Sequence, residues 1–176
     1  MTFLSFKDDD LMKVSEALDI AEDATGNFFK FSLGQWKRHS YEVKTLPSLT
    51  GSEISRHAFA MLNKYSGIAG GFGPKAKDHD YYFICLQDHM ILKALLRDKE
   101  INLLPLLVYI FTHELVHIVR FCNFFQRFEV QGKEKEKEET VVHAKTYDIL
   151  GDLSLPTLDY VLDKYQDHRV CDMVFS

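Results

Sequence analysis

The sequence predicts an α+β domain, on three observations. Apolar residues recur at helical spacing near the start, at Leu11, Val14, Leu18 and Ala21. Short runs rich in aromatic and β-branched residues follow in the first half, at 27–33, 41–46 and 81–86. From residue 89 onwards the periodic segments read as helix, and the longest of them, 105–120, is apolar on every side in its first half. No internal repeat, low-complexity linker or break in composition divides residues 1–176, so one domain is expected.

In chain order, 8–22 is expected to be a helix whose acidic first turn (Asp8, Asp9, Asp10) suits the helix dipole, ended by Thr25-Gly26-Asn27. Residues 27–33 and 41–46 are expected to form a hairpin around a turn at 34–39, the second strand alternating Tyr41, Val43 and Thr45 with Glu42 and Lys44. Ser52 reads as the N-cap of a helix through Tyr65, with Ile54, Ala58, Met61 and Leu62 inward. Residues 67–80 hold four glycines, Pro74 and the run Lys75-Ala76-Lys77-Asp78, and read as a solvated connection. A phosphate-cradling loop is not supported there, since no Gly-Lys-Ser/Thr follows and a strand comes next.

The continuous apolar run 81–86 reads as a strand covered on both faces, along which an extended peptide could pair. A short helix is expected at 89–97, and the long helix should continue past Arg120 to Arg127, with Gly132 as its stop. The alternating charges of 133–139 read as the exposed start of a helix reaching Leu150, and Pro156 as the opening of a last helix to Gln166. The tail beyond it carries no clear pattern.

Composition bounds the function. A hydrophobic content of 46% and a net charge of −5 describe an ordinary soluble chain, and 176 residues can bury a core without staples. No Lys/Arg stripe or high pI offers nucleic acid a footing. Cys85, Cys122 and Cys171 are widely spaced and odd in number, so neither a zinc ribbon nor a disulfide framework is supported, and a reducing cytoplasm fits. The N-terminus has no basic segment followed by an apolar run, so no signal peptide is expected. Residues 101–119 are long enough to span a bilayer, but they carry two histidines and a glutamate and lack anchoring flanks; membrane insertion is not expected.

The chemistry is concentrated in the long helix, which Pro105 suits in its first turn. Into its apolar surface the sequence places His113, Glu114 and His117, and such groups are costly to bury unless they are paired or bind a metal. At 3.6 residues per turn, His113 and His117 stand one above the other and can converge on one zinc ion. Glu114 points about 100° away around the helix, within reach of a water on that ion. The competing reading is a buried histidine pair held by ordinary hydrogen bonds. A catalytic zinc takes a third protein ligand. Downstream, Glu139 sits where a charged run turns apolar (Val141, Val142, Ala144), and His143 lies one turn further on the same face.

His113-Glu114-x-x-His117, then 21 residues, then Glu139 with a polar partner four positions on, resembles the gluzincin branch of the zincin metallopeptidases. The resemblance implies a small mixed sheet with the metal helix behind it and a C-terminal helical subdomain. It implies zinc ligands at His113, His117 and Glu139, Glu114 as general base, and His143 in the position that braces a ligand histidine. The family pattern has Asp there, so His143 also stands as an alternative third ligand. That would make a three-histidine site, similar to SprT-like peptidases, whose cysteine zinc ribbon and basic surface this chain lacks. The expected function is zinc-dependent cleavage of a peptide or protein in the cytoplasm. A metal-binding protein of the same fold with a regulatory, non-proteolytic role is the alternative.

Overall fold

A computed structural model of the chain describes residues 2–66, 80–123, 132–165 and 171–175, and its architecture is α+β. Helix α1 (Asp8–Phe29) opens on the acidic turn, where the Asp10 carboxylate accepts from the Lys7 N–H at 2.9 Å. It runs on through Gly26 instead of ending at 25–27. A Cβ on Gly26 would come 3.3 Å from Trp36 Nε1 and 3.4 Å from the Phe31 carbonyl, so the glycine makes room for the returning chain. The stop is Lys30, left-handed at φ 53, after which the Phe31 N–H donates to the Gly26 carbonyl at 2.8 Å.

The expected strand at 27–33, and with it the hairpin, is not formed. Ser32 caps a second helix, α2 (Leu33–Arg38), accepting from the Gln35 N–H at 3.2 Å while the Gln35 side chain accepts from the Ser32 N–H at 2.8 Å. This reciprocal Ser-x-x-Gln box overrides the aromatic run before it. The expected helix from Ser52 is also replaced. Ser52 lies in a single 3-10 turn (Gly51–Glu53), and the chain then enters strand β2 (Ala60–Ser66). Residues 58–62 are all buried, so the run lacks a strand's alternation, and positions 58, 61 and 62 imitate helical spacing.

The sheet has strand order β1-β3-β2-β4, with β1 at Ser40–Lys44, β3 at Asp80–Leu86 and β4 at Cys171–Phe175. Strand β3 is interior: β1 lies parallel on one side, with Val43 opposite Ile84, and β2 antiparallel on the other, with Leu62 opposite Ile84. Both backbone edges of β3 are therefore taken, and a peptide cannot pair along 81–86 as expected. The edges among the described residues are β1 and β4, the latter parallel to β2.

The helical half follows expectation more closely, as α3 (Asp88–Arg97), α4 (Leu103–Cys122), α5 (Lys133–Leu150) and α6 (Leu158–Tyr165). Gly132, at φ 64, stands directly before α5. Residues 67–79 and 124–131, where the glycine-rich connection and the extension to Arg127 were expected, lie outside the described residues, as does Gln166.

Helix α4 is the common partner of α1, α5 and α6. Ala17 and Ala21, both without solvent exposure, let α1 approach it closely, and the sheet contributes Leu62, Tyr82, Ile84 and Leu86 to the same core. Every residue of α4 except Leu104 and Arg120 is buried. The helix is long and apolar enough to cross a membrane, with mean hydropathy 1.4, yet 89% of that window is buried inside the protein. Its apolarity is that of a core helix covered on all sides.

Candidate metal centre

The two histidines of α4 are fully buried, one turn apart, with their Nε2 atoms 3.2 Å from each other. Phe121, one further turn on, stacks on the His117 ring at 5.9 Å and on Tyr82 of β3 at 6.3 Å, which fixes the imidazole between helix and sheet. Helix α5 brings Glu139 across. Its two carboxylate oxygens divide between the histidines, Oε2 at 3.2 Å from His113 Nε2 and Oε1 at 3.1 Å from His117 Nε2. The three residues thus form a closed triangle through four atoms, with contacts of 3.1–3.2 Å between neighbouring residues. Four ligands placed tetrahedrally around zinc at the usual bond lengths stand about 3.3–3.4 Å apart, so these contacts are close in length to the ligand spacings of a zinc site.

The electrostatics suit a cation as well. Burial pushes His113 down to about 4, leaving a neutral imidazole with a lone pair to give. Burial pushes Glu139 upward, but the hydrogen bonds from His113 and His117 outweigh it and hold the carboxyl well below its ordinary range. Each Nε2 faces both a carboxylate oxygen and its neighbour's ring nitrogen, and a single proton cannot serve both contacts at once.

Glu139 is delivered by its neighbour. Glu138 heads the buried stripe of α5, which continues through Val142, Thr146 and Ile149. Its carboxylate grips Arg120 of α4 with two bonds, Nε to Oε1 at 2.5 Å and Nη2 to Oε2 at 3.0 Å. This bidentate pair clamps α5 to α4 a turn beyond His117 and sets the register that places Glu139 over the histidines. By residue type, Tyr81, Tyr82, His89, Arg120 and Tyr147 could each stabilise an oxyanion, but Arg120 is committed to Glu138. Of the others, Tyr81 is hydrogen-bonded to Glu42, Tyr147 is exposed, Tyr82 is fully buried, and His89 Nε2 is bonded to the Ser55 carbonyl at 2.9 Å.

Glu114 is fully buried on the flank of α4 toward β3. There it adds to the rise of the Cys85 thiol, pushed up to about 12 by burial first and by Glu53 as well, so Cys85 is inert as a nucleophile. His143 lies a turn beyond Glu139, its ring 4.8 Å from that of His113, and one of its ring nitrogens is within 4.8 Å of donor atoms of His113 and Glu139. The same three residues form a looser trio than His113, His117 and Glu139. Its Nδ1 meets the hydroxyl of Tyr109 at 3.3 Å, whereas the Nδ1 atoms of His113 and His117 have no hydrogen-bond partner among the described residues. Sequence reasoning missed Tyr109, Arg120 as a clamp, and Glu138. Only Glu138 left a signal, as the head of a helical stripe, and it was masked by the charge run around it.

Comparison of the chain with protein-family models, with curated proteins and with solved structures finds no match.

Proposed function

We propose that the protein is a zinc-dependent hydrolase of the metallopeptidase type with a zincin-like arrangement of metal helix and sheet. The observation that carries this is the meeting of His113, His117 and Glu139, whose two ring nitrogens and two carboxylate oxygens make contacts of 3.1–3.2 Å from residue to residue. His113 and His117 would supply neutral nitrogens and Glu139 the one anionic ligand. When bound by three protein groups, zinc keeps an open position, polarises a carbonyl and lowers the pKa of a water. Glu114 is the base in this reading: its carboxylate takes the proton from the attacking water and returns it to the leaving nitrogen. Helix α4 shields the centre from bulk solvent, which strengthens each of these interactions. An extended peptide substrate would pair with an edge strand, since β3 has no open side.

A second reading, a metal-binding protein of this fold that does not cleave peptides, is favoured by one feature, the additional donor His143 beside the triangle. Two measurements separate the readings. About one zinc per chain is expected in either case, and its absence after zinc dialysis would sink both. Glu114→Gln is expected to keep its zinc and lose peptide hydrolysis. Cleavage by that variant at the wild-type rate would refute the mechanism, and zinc binding with no cleavage across a broad peptide screen would favour the second reading.

A further inference from the structure

His143 has no part in the chemistry above, yet the structure orients it closely. The carbonyl of Tyr165 can only accept, so the single hydroxyl proton of Tyr109 goes to it, at 3.0 Å. The phenol oxygen, 3.3 Å from His143 Nδ1, is then left to accept, and His143 must carry its proton on Nδ1. In a neutral imidazole the lone pair is then on Nε2. Tyr109 is well placed to impose this: it is buried one turn before His113 on α4, and its ring stacks on Tyr165 at 6.3 Å. A ring nitrogen of His143 already lies within 4.8 Å of the donor atoms of His113 and Glu139. The tetrahedral edge around zinc is about 3.4 Å, so a movement on the order of 1–2 Å, with the ring turned to present Nε2, brings His143 to ligand distance. His143 is half-buried on α5.

We propose that His143 is a fourth ligand that closes the metal centre, presented through Nε2 by the hydrogen-bond chain from the Tyr165 carbonyl through the Tyr109 hydroxyl. This rests on the metal reading given above. A zinc held by His113, His117, Glu139 and His143 has no open position, as in structural sites. Hydrolysis then requires His143 to leave the ion, which makes this side chain a gate on the activity, and Tyr109 the positioning residue that sets the gate's tautomer.

The test uses the full chain loaded with zinc, with metal-edge X-ray absorption to count imidazoles and chelator competition to measure affinity. Three imidazoles are expected in the wild type and two in His143→Ala, with affinity falling at least 10-fold. Tyr109→Phe keeps the ring but removes the acceptor, and should lower affinity by about 10–100-fold, as for other residues that orient a ligand. Two imidazoles in the wild type, together with unchanged affinity in His143→Ala, would overturn the proposal while leaving the triangle intact. Tyr109→Phe at wild-type affinity would overturn the role given to the hydrogen-bond chain. Failure of the wild type to take up stoichiometric zinc would instead overturn the metal reading on which the proposal stands.

Discussion

Replacing Arg120 by alanine should destabilise the protein and loosen the metal centre together. The Glu138 side chain is only 3% exposed and Arg120 15%, so the variant leaves a carboxylate buried with its bidentate partner gone. Breaking a buried pair in this way costs about 3–5 kcal/mol, and the partial exposure of Arg120 places the expectation at the lower end, about 3 kcal/mol. That is roughly a 150-fold drop in the folding constant. For a chain of this size it corresponds to a fall in Tm of about 6–12 °C. Thermal and urea denaturation of the metal-free protein read the stability, and chelator competition reads zinc. Zinc affinity should fall about 10–100-fold, because Glu139 is adjacent to Glu138 and loses its register over the histidines. The control is the apolar double variant, Arg120→Met with Glu138→Leu, which strands no charge and should return to within about 1 kcal/mol of the wild type. If Arg120→Ala melts with the wild type, or if the double variant is no more stable than the single, the clamp argument is wrong.

Glu139→Ala removes the anionic corner of the triangle, and its zinc affinity should fall by more than the 10–100-fold typical of an orienting residue; titration against a chelator checks this, and retention of tight zinc would remove Glu139 from the ligand set. Asp98 accepts from Lys164 and Tyr160, which lower its carboxyl to about 2. A folded pKa below the unfolded one means stability that is present above about pH 4 and is lost as pH falls through about 2. Asp98→Asn should therefore be less stable than the wild type at neutral pH and lose less on acidification, and parallel urea titrations from neutral pH to pH 2 would contradict this if the two proteins kept a constant gap. Because α4 is covered by the rest of the fold, the folded chain should stay in the aqueous phase without detergent; recovery of the folded protein in the membrane pellet would overturn that assignment.

The His113-Glu114-x-x-His117 arrangement was legible in the amino-acid sequence because it is local: helical spacing alone stacks His113 over His117, and an apolar flank on both sides announces their burial. The same holds for α3, for the main span of α4 and for α5, whose periodic or apolar patterns match the helices that form. Glu139 could be singled out for a related reason, since it stands where a solvated charge run gives way to an apolar stripe. Local reading failed where two local signals competed. The Ser32–Gln35 box outweighed an aromatic run, and the first half of β2, buried at Ala60, Met61, Leu62 and Asn63 in succession, lost the alternation that would have named it a strand.

What the tertiary structure alone decided is everything that depends on how α5 lies on α4 and which strands meet. Arg120 and Glu138 are 18 residues apart, and Tyr109 and His143 are 34 apart, so no periodicity connects them. Their pairing exists only because burial of the stripe Glu138, Val142, Thr146 and Ile149 against α4 fixes one register out of several. The parallel pairing of β1 with β3, with β2 along the other side of β3, is likewise a long-range contact, and it closed the strand that had looked open to a peptide. A side chain's type and spacing can nominate it for a metal, but its distance to the next donor is set by the docking of separate helices, and 3.1–3.2 Å is a quantity only the folded chain contains.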